Sequence, residues 1–145
     1  MADHLIPQFA LSTLMLFACV GVHGFGLFSL SRALRSEGNI ERLRHVDPLS
    51  PRGALFTLSI VIAIIVLHGI EIWLFAGAYL AVGAVGTLEE ALYYSTISYS
   101  TVGYSDAHVV PEWRLAGAFE SILGVILLGW STAFFFRMLG RIDPH

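Results

Sequence analysis

The chain has 145 residues, of which 56% are apolar and 13% charged, with a mean hydropathy of +0.73 and a net charge of −3. Soluble domains carry about 25% charged residues, so this composition excludes a disordered chain, speaks against a soluble globular domain and offers no basic surface to nucleic acid. A single cysteine, Cys19, excludes an intrachain disulfide and a paired-cysteine metal site.

No Asp, Glu, Lys or Arg lies between His4 and Ser31. A membrane helix needs about 20 apolar residues, so the window predicts a first span within residues 1–34. Only Asp3 and His4 precede it, which lacks the basic start of a signal peptide. A polar linker follows over 35–51, with room for a short amphipathic helix around Ile40 to Val46. Ser50-Pro51 reads as the N-cap and first residue of the second span, predicted over 52–80 and interrupted by Glu71. A third span is predicted over 112–138; Leu115 to Phe136 is uncharged apart from Glu120.

The stretch Ala91 to Ser105 is uncharged but rich in Ser, Thr and Tyr. At about 1.5 Å per residue, its helical part is too short for a core of about 30 Å. It suits a re-entrant half-helix with an extended return, which is tolerated at membrane depth where protein buries it or it lines a water-filled cavity. Thr87-Leu88-Glu89-Glu90 fits a capping box and starts that helix near Leu88, with its end near Ser98. The fold class is therefore an all-α membrane protein with three transmembrane helices and one re-entrant helix.

Lysine is absent, so the arginines alone report topology. Arg32, Arg35, Arg42, Arg44 and Arg52 flank the first linker, and Arg137 and Arg141 follow the third span. The positive-inside rule places both regions in the cytoplasm, and the N-terminus and residues 81–111 outside.

Residues 101–106 read Thr-Val-Gly-Tyr-Ser-Asp. They resemble the TVGYGD filter signature of the potassium-channel superfamily. Ala91-Leu92-Tyr93-Tyr94-Ser95 is similar to the ALWWS pore helix of bacterial two-transmembrane potassium channels. Trp113-Arg114-Leu115 and Gly124 fall where those channels begin the inner helix and place its hinge glycine. The resemblance covers about residues 52–140 and leaves the first helix as an addition. It implies an outer helix 52–80, pore helix 88–98, filter 101–105 and inner helix 112–138, in a pore domain 52–145. It also implies a homotetramer whose Thr101, Val102, Gly103, Tyr104 and Ser105 hold dehydrated K⁺ on rings of backbone oxygens, with Tyr93, Tyr94 and Asp106 supporting the filter. The pore-helix C-terminus, with about −0.5 charge, would point at the ion path and favour a cation. Ser105 departs from the family's glycine. A left-handed conformation there costs a non-glycine residue roughly 1–2 kcal/mol, so either the ring carries strain or the outermost carbonyls turn. Ile97 stands where some members carry a buried acid.

Two acids lie inside spans, where a charge costs about 2.5–3.5 kcal/mol on insertion scales. His68 is one turn before Glu71 on the same face. Counting helix rise puts Glu71 roughly 13 Å and Glu120 roughly 12 Å from the outer surface. The expectation is one buried cluster of His68, Glu71 and Glu120 behind the pore helix, with Tyr or Ser hydroxyls from 93–100 available to join it, sharing protons as a coupled unit. A structural hydrogen-bonded cluster, a proton sensor and a cavity-facing Glu120 all remain open. His23 reads as a helix-contact residue, and Gly117, Ser121 and Gly124 as a small-residue packing face.

The resulting expectation is a homotetrameric channel, passively conducting K⁺, in a bacterial inner membrane, with the C-terminus cytoplasmic. Its partners are lipids and its own copies, not nucleic acid; K⁺ occupies the filter and no organic cofactor is needed. No constellation suits enzymatic chemistry. No arginines repeat through a span as in a voltage sensor, and the C-terminus at His145 leaves no sensory domain. Three alternatives stand beside this: a weakly selective cation channel, a non-conducting modulatory subunit, and a metal or haem protein using His23, His68, Glu71 and Glu120.

Overall fold

In a computed structural model, residues 5–34 and 50–140 are described. Most of the 35–51 linker, with the helix expected near Ile40 to Val46, and Arg35, Arg42, Arg44 and Arg141 lie outside the described residues. The order is α1 (Leu5–Leu34), α2 (Pro51–Ala81), α3 (Leu88–Tyr99), a 3₁₀ turn (Pro111–Trp113) and α4 (Arg114–Leu139). No strand occurs among the described residues. α1, α2 and α4 are long and apolar enough to cross a membrane. α3, with 12 residues, reaches about 18 Å and cannot.

Local chemistry sets the helix ends. The Ser50 hydroxyl accepts from Gly53 N at 3.2 Å and Pro51 opens α2. α2 ends in a Schellman motif: Ala84 N donates to Tyr79 O (2.8 Å) and Gly83 N to Leu80 O (3.1 Å). Gly83 supplies the positive φ, +68°, that this turn requires. α3 starts with the capping box: Thr87 Oγ1 accepts from Glu90 N at 3.2 Å, and Glu90 Oε2 accepts from Thr87 N at 3.0 Å.

α1 packs against both α2 and α4. Its buried residues, Gln8, Ser12, Met15, Cys19, His23 and Leu27, recur every three or four positions and form one stripe. That stripe is the polar one, whereas Phe17, Phe25 and Phe28 face outward. This inverted amphipathicity suits a helix whose solvent is lipid, where polar groups must find protein partners. Gly26 allows the close approach to α2; a Cβ there would lie 2.6 Å from Leu67 Cδ1. Near the start of α1, Gln8 Oε1 accepts from Leu115 N at 3.1 Å and ties α1 to the first turn of α4.

Candidate functional site: a re-entrant loop and two buried carboxylates

The segment after α3 folds back on it. Thr101 N donates to Ser98 O and Gly103 N to Ile97 O, each at 2.9 Å. Thr101 (φ +62°) and Gly103 (φ +54°) are left-handed, with Val102 between them at negative φ. Alternating the sign of φ turns successive carbonyls toward one side instead of alternating them as in a strand. A β-branched residue at positive φ is an outlier, so the two bonds back to α3 hold Thr101 in a conformation it would not choose locally. Val102 and Tyr104 are 64% and 82% exposed on the single chain.

The alternation stops at Ser105, which has no positive φ. Its Oγ instead accepts from Ala107 N at 3.2 Å. Of the two outcomes expected for serine here, left-handed strain is not the one the backbone carries. Asp106 pairs with Arg114 Nε (3.1 Å), and its carbonyl accepts from Val109 N (3.0 Å). It thus fastens the loop to the start of α4. Tyr94 is buried with its hydroxyl 3.4 Å from the Arg114 carbonyl, over Gly117; these contacts brace α3 on α4. Tyr93 is half exposed on the single chain. Gly124 meets the backbone of Tyr99, which a Cβ would overlap. The structure thereby gives this glycine a close-approach role, seating α3 on α4 two residues before Thr101.

Glu71 and Glu120 are both 0% exposed, but they do not share one cluster. Glu71 Oε1 is bonded to His23 Nδ1 (2.8 Å), and Glu71 Oε2 accepts from the Tyr99 hydroxyl (2.5 Å) and lies 3.3 Å from His68 Nδ1. His68 Nδ1 is also 2.7 Å from the Tyr99 hydroxyl. His23 Nε2 meets Ser131 Oγ of α4 at 3.2 Å. One hydrogen-bonded group thus joins α1, α2, α3 and α4. Glu120 belongs to another: it accepts from Tyr79 (2.6 Å) and from Ser95 (2.5 Å), whose Oγ is also 2.9 Å from the Ile72 carbonyl.

The expected trio of His68, Glu71 and Glu120 therefore divides. Side chains lean toward the N-terminus of their own helix. α2 and α4 are successive spans of opposite direction, so carboxylates at matching Cα depth lean apart. Glu120 leans toward the start of α4 and meets Tyr79, which leans toward the start of α2, as Glu71 does on its way to His23. Ser95 and Tyr99 lie in the 93–100 stretch whose hydroxyls the sequence offers to the buried acids, whereas Tyr79, which reads as a packing residue, and His23, which reads as a helix contact, emerge as carboxylate partners only in the fold. Their signal was the polar stripe on α1 and the hydroxyls on α3.

The loop and both buried carboxylates sit within a segment that a family comparison also selects. The model of the ion channel family matches residues 56–141, from α2 to beyond α4. Neither the curated proteins nor the solved structures contain a match to the chain. A re-entrant helix between two spans, followed by a loop folded back on it, lies wholly inside the matched segment, and the chain belongs to the ion channel family.

Proposed function

We propose that four copies of this chain form a channel that conducts K⁺ passively through rings of backbone oxygens from Thr101, Val102, Gly103 and Tyr104, with the Thr101 hydroxyl adding an innermost ring. The observation that carries this reading is the conformation of the Thr101–Tyr104 segment. Its N–H groups at 101 and 103 are spent on α3, and the alternating φ frees its carbonyls to face a common axis. Replacing the hydration shell of a cation demands such oxygens, and one chain supplies only a quarter of a ring. The exposed Val102, Tyr104 and Tyr93, together with Ile122, Val125 and Ile126 on α4, form the surface that neighbouring copies would cover. In this reading the N-terminus lies outside, the C-terminus lies in the cytoplasm and the membrane is a bacterial inner membrane.

Reversal potentials of the purified protein in planar bilayers test it. A K⁺ gradient should set the potential, with Na⁺ nearly impermeant. Absence of flux, or chains that stay monomeric, would refute the assembly.

A second reading, a weakly selective cation channel, is favoured by Ser105. Its hydroxyl caps the following turn, and the positive-φ alternation ends before it, so the outermost ring is the one least suited to hold an ion. Ser105→Gly should then raise K⁺ preference. A loss of K⁺ preference would mean that the serine contact itself organises the outer mouth.

A further inference from the structure

We propose that His23, His68 and Glu71, with the Tyr99 hydroxyl as fourth donor, form an intramembrane binding site for a divalent transition-metal ion, with Zn²⁺ the expected occupant. Donor atoms of the two histidines and Glu71 all lie within 4.8 Å of one another, and all three residues are buried. The separations around the group are 2.8 Å (His23 to Glu71), 3.3 Å (His68 to Glu71), 2.5 Å (Tyr99 to Glu71) and 2.7 Å (Tyr99 to His68). Tetrahedral zinc with bonds of about 2.0–2.1 Å needs donors roughly 3.3 Å apart. Small side-chain rotations would open the three short pairs to that spacing, which the His68–Glu71 pair already has. Two imidazoles, a carboxylate and a phenol oxygen are donors that zinc accepts.

A further feature points to an ion. His23 turns Nδ1 toward the group and Nε2 toward Ser131 Oγ, the outer contact that a metal-bound histidine characteristically makes to fix its tautomer. The charges also close. Buried charges are paired or coordinate metals, and no arginine or lysine is bonded to Glu71 among the described residues. On binding, the protons now bridging these atoms must leave. Each histidine keeps its proton on Nε2, the phenol proton passes to solvent, and Zn²⁺ with one carboxylate and one phenolate sums to zero. The ion would pin α1 to α2 and to the last residue of α3.

Glu120 is the internal control. It is equally buried but has only hydroxyl partners, so it offers no such site. The exposed pair His108 and Glu90, 3.3 Å apart, is the competing surface location.

The test is Co²⁺ titration of the full-length, metal-stripped protein in detergent micelles, read by visible absorption and by metal analysis after desalting. One Co²⁺ per chain is expected, with the intense bands of a tetrahedral site and displacement by Zn²⁺. His23→Gln and Glu71→Gln should abolish the bands. Ser131→Ala should weaken binding roughly 10-fold, as outer-contact losses do. Glu120→Gln and His108→Gln should bind like the wild type. Wild-type protein that retains no stoichiometric Co²⁺ or Zn²⁺ overturns the proposal without recourse to variants. So does binding that survives His23→Gln and disappears in His108→Gln. The measurement needs no ion flux, so a protein that fails to conduct can still uphold the site, and a conducting protein can still refute it.

Discussion

Glu71 and Glu120 are the same residue type, equally buried and placed at matching depth by helix counting, yet their surroundings differ in kind. Glu71 joins two histidines and a tyrosine and links all four helices, counting Ser131 through His23. Glu120 joins two hydroxyls and links α2, α3 and α4 only. The difference teaches that the cost of a buried carboxylate is settled by which donors the packing supplies, not by depth. Glu71 is placed to hold α1, which lies outside the segment the family model matches, against the rest; Glu120 holds α3 between α2 and α4.

Substitutions can break this comparison. Glu71→Leu should have the largest effect, because it strands His23 Nδ1 at about 1–3 kcal/mol and also removes the carboxylate's bonds to His68 and the Tyr99 hydroxyl, which keep only each other. Thermal unfolding in detergent should show the loss, together with protease cleavage between α1 and α2. Glu120→Leu should cost less, about 1–3 kcal/mol, because Ser95 retains the Ile72 carbonyl and only Tyr79 is stranded. Equal midpoints for the two variants would show that burial alone, and not the partners, sets the cost. Gly124→Ala probes the contact that positions both groups. It forces Tyr99 away from α4 and should cost about 1–3 kcal/mol through overpacking; an unchanged midpoint would show that the close approach is dispensable. Ser131→Ala removes one hydrogen bond, on the order of 0.5–1.5 kcal/mol, and its effect should vanish in a His23→Gln background if the pair acts as described. Glu120→Gln should change the midpoint least, because an amide can accept from Tyr79 and donate to Ser95 Oγ.

The same contrast separates what was legible before folding. The spans, the Ser50-Pro51 start of α2 and the Thr87 to Glu90 capping box are matters of composition and of contacts within a few residues, so they could be read from the chain. The Thr-Val-Gly-Tyr run marked the loop, and the expectation of a re-entrant helix too short to cross the membrane holds in α3. The conformation of Ser105 could be posed as two outcomes but not decided. The choice depends on the Ala107 N–H coming within reach of its hydroxyl.

Residues 23, 71, 99 and 131 are far apart in the chain. Their meeting depends on how α1 is rotated against α2 and α4, and no local pattern records that angle. Helix-rise counting gave Glu71 and Glu120 a common depth but ignored the lean of side chains toward each helix's own N-terminus. In oppositely directed helices that lean sends the two carboxylates apart. Composition and local spacing therefore determined a three-span chain with a re-entrant loop and two costly acids, and the resemblance of its Thr-Val-Gly-Tyr run pointed to an ion channel. Only the packed helices decided that the acids would be housed separately, one beside histidines and one beside hydroxyls, because donor choice in a membrane interior follows the azimuth and direction of neighbouring helices.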